Sequence, residues 1–219
     1  MSTMINEKTA NLMGGMRKLA TEPASPDSPQ AERISARERI LSVASELFYH
    51  QGVRAVGIDT IIAAAGVAKM SLYRAFPSKD DLVAAYLERR NLEFWERWDR
   101  TVAAHPDDPR AQLEGLLDAI TRRTVSEAYR GCPFLNTATE FPGSDLPADR
   151  VIREHMRAVN DRLRAMAAAA GARDPQALAD QLQIVIDGAY VAGQSRGADG
   201  PAQALATAGR VLIAAALGA

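Results

Sequence analysis

Side chains able to do chemistry are sparse in this chain and gather in one place. Cys132 is the single cysteine, which excludes an internal disulfide and a cysteine-rich zinc site. His50, His105 and His155 stand far apart, with no HExxH pair and no second ligand at helical spacing. The phosphate-cradling and nucleophile-elbow patterns GxxxxGKS/T, GxGxxG and GxSxG are missing. No catalytic residue, metal ligand or cofactor is therefore expected. An enzyme site, if there were one, would sit near Glu140, His155 and Asn160, without a motif to support it. The dense cluster is Lys69-Met70-Ser71 and Tyr73-Arg74, with Thr60 before it and Lys79 after it. Lysine, serine and tyrosine can hold phosphates, and arginine can address a phosphate or a guanine edge.

These groups sit in a locally basic stretch. From Arg33 to Lys79 seven basic residues meet three acids, a net charge of +4 within a chain of net charge −1. A basic segment on an acidic remainder points to two jobs in one chain.

The elements that must aim these side chains are helices. Ile40, Val43, Ala44, Leu47 and Phe48 form one helical stripe, opened by a Ser35/Glu38 capping box and stopped by Gly52. A short helix over Ile58–Ala65 ends at Gly66, and a second, Ala68–Phe76, ends at Pro77. In this helix-turn-helix layout Ala63, Ala64 and Ala65 allow close approach, and Gly66 takes a left-handed turn. Val67 and Leu72 face inward. Ser78 caps a long helix running to His105-Pro106, with Asp80 and Asp81 in its first turn. Further helices are expected at about 110–129, 133–140, 148–169, 175–195 and 202–217. Strand signals are nearly absent, so the chain reads as all-α.

With 219 residues, 47% of them hydrophobic and 24% charged, the chain has the balance of an ordinary soluble protein. It holds no apolar run of membrane-spanning length and no export signal, so the expectation is a cytoplasmic protein without membrane contact. Residues 1–31, with TEPASPDSPQ, read as a disordered leader.

The stretch from Arg37 to Leu82, about a fifth of the chain, resembles the DNA-binding domain of the tetracycline-repressor (TetR) family of bacterial transcription regulators. ILSVASELFYHQGV matches its first helix. IIAAAGVAKMSLYRAFPSKDDL matches its signature through Ala65-Gly66-Val67, Leu72-Tyr73, Phe76, Lys79 and Leu82. The resemblance implies a DNA-binding domain over 32–78 and an effector-binding and dimerisation domain over 79–219, about nine helices in all. It makes Ala68–Phe76 the recognition helix. Tyr73 and Lys79 would then contact phosphates, and Lys69, Met70, Ser71 and Arg74 would face the groove. Where the family often carries hydroxyl residues, this chain has Ala68 and Val56-Gly57, which leaves Asp59 and Thr60 as the polar groups before the second helix.

A head of charge +4 makes few contacts, and specific recognition generally uses two half-sites and a dimer. The resemblance places a homodimer seam on the last two helices. Leu178, Leu182, Val185, Ile186, Ala189, Ala192 and Gly193 are its candidates on one, with Leu205, Ala208, Leu212, Ala215 and Ala216 on the other. The expected partner is palindromic double-stranded operator DNA. A small-molecule effector would occupy a pocket drawn from Trp95, Trp98, Leu117, Ile120, Cys132, Phe134, Phe141, Met156 and Tyr190, with Asn136, His155, Asn160 and Gln194 as scattered polar groups. RGCPFLNTATEFP is similar to a segment of one branch of the family that faces the effector region. The implied activity is that of a ligand-responsive regulator, a repressor released by its effector. Two other readings stay open: a redox or electrophile sensor at Cys132, beside Arg130 and a helix start, and a DNA-binding regulator without small-molecule input.

Overall fold

The computed structural model describes residues 35–143 and 145–218, so the leader expected over 1–31 lies outside the described residues. Helix α1 (Ala36–Gln51) begins where Ser35 Oγ accepts the Glu38 N–H at 3.1 Å, and ends at Gly52 with φ of 87°. The Glu38 carboxylate pairs with Arg89 at 2.8 Å, so the expected capping box shows the serine's half of the exchange. Helices α2 (Ile58–Ala65) and α3 (Lys69–Ala75) flank Gly66, which takes the left-handed conformation at φ 61° and ψ 43°. The Gly66 and Val67 N–H groups close back onto the Ala63 and Ile62 carbonyls, each at 3.3 Å. Ala63 and Ala64 are exposed rather than wedged between the two helices, and Ala65 alone of the three packs against the core.

Helix α4 (Lys79–Ala103) starts at Ser78, whose hydroxyl accepts the Asp81 N–H at 3.0 Å. Its first turns, Leu82 to Leu87, are buried, and it packs against α1 on one side and the later helices on the other. Helix α5 (Pro109–Thr124) stops five residues before the expected end. Past Val125 the chain folds into a turn, with the Ser126 and Tyr129 N–H groups bonded to Arg123 and Ser126 carbonyls. No glycine or proline marks that end in the sequence before Gly131.

Helices α6 (Pro133–Glu140), α7 (Pro147–Ala169) and α8 (Pro175–Arg196) follow. Two 3-10 turns, Gly197–Asp199 and Pro201–Ala204, precede α9 (Leu205–Leu217), which therefore begins three residues later than expected. Among the described residues the protein is nine α-helices with no strand. No single helix there is long and apolar enough to cross a membrane.

Small residues decide how closely α5, α8 and α9 meet. A Cβ on Gly193 would lie 2.5 Å from the Thr124 carbonyl oxygen, and one on Gly209 would strike the Leu117 side chain. Both glycines thus serve contacts inside the chain.

Candidate DNA-reading head and ligand cavity

Ile40, Ala44, Phe48, Ile61, Leu72, Phe76 and Leu82 are buried together and fix how α3 sits on α1 and α2. That packing turns the other faces of α3 outward. Met70 is 71% exposed, Tyr73 is 40% exposed, and Lys69 and Arg74 are exposed as well. Ser71 and Lys79 are half-buried, and Thr60 is exposed on α2. All seven residues expected to read DNA thus lie on or beside one small module. Lys69 is also held within the chain, with its Nζ 3.3 Å from Asp59 Oδ1. Both partners are largely solvated, so the pair is worth at most about 1 kcal/mol and yields readily to a phosphate. Neither Gly57 nor Ala68 gives its helix a side-chain cap, as the missing hydroxyls predict.

The module is tied to the rest of the chain at named points. Arg90 on α4 donates to the Ser45 carbonyl at 3.3 Å and to Glu46 at 3.2 Å, and its guanidinium lies 4.9 Å from the Tyr49 ring centroid. At the end of α6 the Glu140 carboxylate accepts the Val53 N–H at 3.1 Å and the Arg54 N–H at 2.7 Å. The Arg54 guanidinium lies over Phe141, 5.1 Å from the ring centroid, and the Arg130 N–H donates to Tyr49 Oη at 3.0 Å. Phe141, expected in the effector pocket, belongs to this joint instead. Asn136 also lies away from the aromatic centre. Its amide donates to the Arg130 carbonyl, and it lines a cleft of about 530 Å³ between the end of α1 and α6.

The aromatic centre lies where α4, α6 and α7 meet. His155 stacks on Phe134 with centroids 3.6 Å apart and planes within 8°, while Phe94 meets the imidazole edge-on at 4.7 Å. His155 Nδ1 is 2.8 Å from Asn91 Oδ1, and burial pulls its pKa down to about 4. Trp98, Ile120, Cys132, Met156 and Tyr190 surround a narrow space beside it, into which Asp187 also faces. Burial pushes the Asp187 carboxyl up to about 6. An adjoining cavity of about 370 Å³ is walled by Phe94, Trp98, Leu116, Ala119, Ile120 and Tyr190, and Arg97, Arg122 and Arg123 border it. Trp95 does not line these spaces. It packs on Phe94 and Trp98, with Arg162 4.1 Å from its centroid. Leu117 points to Gly209 on α9.

Cys132 is buried, and burial pushes its thiol up to about 11. Arg130 turns its guanidinium towards the Glu127 and Tyr129 carbonyls. A buried thiol raised in this way is mostly protonated near neutrality, which weighs against the thiolate chemistry of the sensing alternative. Glu140, His155 and Asn160 are held in separate networks, with Asn160 bonded to Asp180 and Gln183. Those bonds do not converge on one site. No cluster of three or more His, Cys, Asp or Glu side chains suited to a metal occurs among the described residues.

Residue-type reasoning overlooked Arg97, Arg122 and Arg123 at the cavity and Tyr49 and Arg54 at the joint, and named Glu140 only for an enzyme site. The signal for Arg97 was present in Phe94-Trp95-Glu96-Arg97-Trp98, where it lies three positions after Phe94 on the cavity face. The joint joins residues more than eighty positions apart and had no local signal.

Residues 40–86 match the model for bacterial regulatory proteins of the tetR family. The chain is 33% identical over 99 residues to the HTH-type transcriptional regulator AcrR of Shigella flexneri, covering 45% of this chain and 46% of that one. It is 35% identical over 133 residues to the HTH-type transcriptional activator FasR of Mycolicibacterium smegmatis, covering 59% and 58%. It therefore spans about half the length of these curated relatives. Among solved structures, a TetR-family transcriptional regulator from Streptomyces coelicolor aligns with TM-score 0.74 and 30% identity, over 83% of this chain and 94% of that one. A TetR-type regulator from Streptomyces avermitilis aligns with TM-score 0.75 and 32% identity, over 83% and 98%.

Proposed function

The chain belongs to the tetR family of bacterial regulatory proteins, and from that premise we propose that it is a homodimeric, cytoplasmic, sequence-specific repressor released from its operator by a small molecule. Residues 32–78 form the reading domain, and 79–219 form the effector-binding and dimerisation domain. Two copies of α3 enter successive major grooves of a palindromic operator, about one helical turn apart. Tyr73 and Lys79 hold phosphates, while Lys69, Met70, Ser71 and Arg74 face the bases, with Thr60 at the flank.

The observation that carries this reading is the double duty of α4. Leu82 to Leu87 pack under the head, and Phe94, Arg97 and Trp98 on the same helix line the cavity. From Leu82 to Trp98 an unbroken helix spans about 24 Å, so a shift at one end reaches the other. A ligand that favours a dimer with misplaced heads weakens operator binding by no more than its differential affinity, typically about 1–3 kcal/mol.

The dimer surface follows from what the chain's own core leaves uncovered. Leu178, Leu182, Ile186, Ala189, Gly193 and Leu205 point inward and are withdrawn from the seam. Ile184, Gly188 and Val191 on α8, with Ala208, Val211 and Ala215 on α9, form the outward apolar strip. Ile184, Val191 and Val211 are 71%, 58% and 64% exposed.

The test is binding of the purified protein to its own upstream DNA and to random DNA of equal length, over a salt series. A preference of about 10³ or more with a steep negative salt slope is expected. Equal weak binding to upstream DNA and to operators selected from random sequence would refute the reading.

A further inference from the structure

The cavity's charges are one-sided. Arg97, Arg122 and Arg123 border it, and no acidic side chain does. Of the other half-buried arginines, Arg89, Arg90 and Arg210 each have a carboxylate within ion-pair distance. Among the described residues Arg97, Arg122 and Arg123 have none. Glu93, one turn before Arg97, is already engaged by Arg89 and Arg90. Asp187, in the adjoining space, is raised by burial, opposite to the effect of a guanidinium partner. Burial, and next Arg123, pull the Arg97 guanidinium below its ordinary value. Arg97 and Arg123 are half-buried, and like-charged, partly buried side chains without counter-ions are costly to hold together. A ligand bringing an anion relieves that cost, and a guanidinium binds a carboxylate through paired hydrogen bonds. The remaining wall, Phe94, Trp98, Leu116 and Ile120, is apolar and aromatic.

We propose that the effector is an amphipathic organic acid, its carboxylate held by Arg97 and Arg123 and its apolar body laid along Phe94, Trp98 and Ile120. This rests on the reading of the cavity as the effector site, and its volume is at the small end of the roughly 300–1,000 Å³ usual for ligand sites.

The experiment uses the full-length protein with phenylbutyrate and decanoate, each against its matched alcohol and amine. Trp98 lies in the cavity wall, so tryptophan fluorescence reads binding, and operator affinity is measured in parallel. Each acid should bind at least about tenfold tighter than its alcohol, with the amine weakest. Arg97→Gln and Arg123→Gln should each remove about tenfold of the acid's affinity and leave the alcohol's unchanged, which also shows that the variants fold. Alcohols binding as well as the acids, no acid binding, or an acid preference surviving in the double variant would overturn the proposal. The two readings fail separately. Arg-dependent acid binding without loss of operator affinity supports the ligand class and sinks the effector role. Operator release by the alcohol or amine as readily as by the acid preserves the effector role and sinks the ligand class.

Discussion

At the scale of single residues, position decides which polar groups are available for recognition and which are spent on structure. Arg74 is exposed on α3 and has no ion-pair partner among the described residues, whereas Lys69 shares its charge with Asp59. Arg74→Ala should therefore weaken specific operator binding by about 1–3 kcal/mol, and Tyr73→Phe should weaken it less. Both variants should keep the wild-type sedimentation coefficient, because neither side chain supports the core. His155 shows the opposite use of a polar side chain. Its imidazole is neutral because burial among Phe134 and Phe94 pulls its pKa to about 4. A depressed folded pKa contributes stability that is complete above the unfolded value of about 6.5 and is lost as pH falls towards 4. Asp187, raised to about 6, acts with the opposite sign between its ordinary carboxylate range and pH 6, so it offsets part of the loss. His155→Phe keeps a ring against Phe134 but cannot titrate. Thermal melts from pH 7.5 to 4.5 should show a shallower fall in Tm for this variant than for the wild type, and parallel curves would refute the role of the buried imidazole.

At the scale of elements, the joint between α6 and the turn after α1 links the aromatic centre to the helix-turn-helix module. Phe134 near the start of α6 stacks on His155, and Glu140 at its end holds the Val53 and Arg54 N–H groups. Glu140→Gln keeps the shape but weakens two charge-assisted bonds, each of which exceeds a neutral one. Hydrogen exchange at Val53 and Arg54 should quicken by about tenfold, while amides in α8 keep their protection; unchanged exchange would show that the carboxylate does not hold the turn. How legible these elements were depended on whether their signals were local. The bounds of α2 and α6 follow from Gly57, Gly66, Pro133 and the break after Glu140, all within one turn of the helix they limit. The end of α5 carries no such mark, and periodicity ran past it to Tyr129. The outward placement of Tyr73 and Arg74 was legible because Leu72 must face inward on a short helix, which leaves only the other faces for them. Glu140 and Phe141 could not be assigned in the same way, since their partners lie far off in sequence and only tertiary packing brings them together.

At the scale of the whole molecule, the proposed dimer asks the last two helices to serve both the chain's core and a second copy, and periodicity alone does not divide the labour. Each is apolar over most of its circumference, so Leu178, Leu182 and Val211 look alike in sequence. Packing separates them. Gly193 must approach Thr124 and Gly209 must approach Leu117, which turns Ile184, Gly188 and Val191 on α8 and Ala208, Val211 and Ala215 on α9 away from the core. Gly188 meets no neighbouring atom, leaving room for a partner helix to come close. A strip this apolar is unfavourable in water unless covered, and a stable dimer would bury about 1,200 Å² or more in total. Val211→Asp places a charge in the middle of that strip without touching the chain's own core. It should give monomers by sedimentation at low micromolar concentration, with a helical circular-dichroism spectrum close to the wild type. Operator affinity should fall by about 100-fold or more, because a single head forfeits the second half-site. Leu212→Asp is a poorer probe, since that side chain is partly buried against the core and its loss would unfold as well as dissociate. Dimers of Val211→Asp that persist with full operator affinity would move the interface to another face.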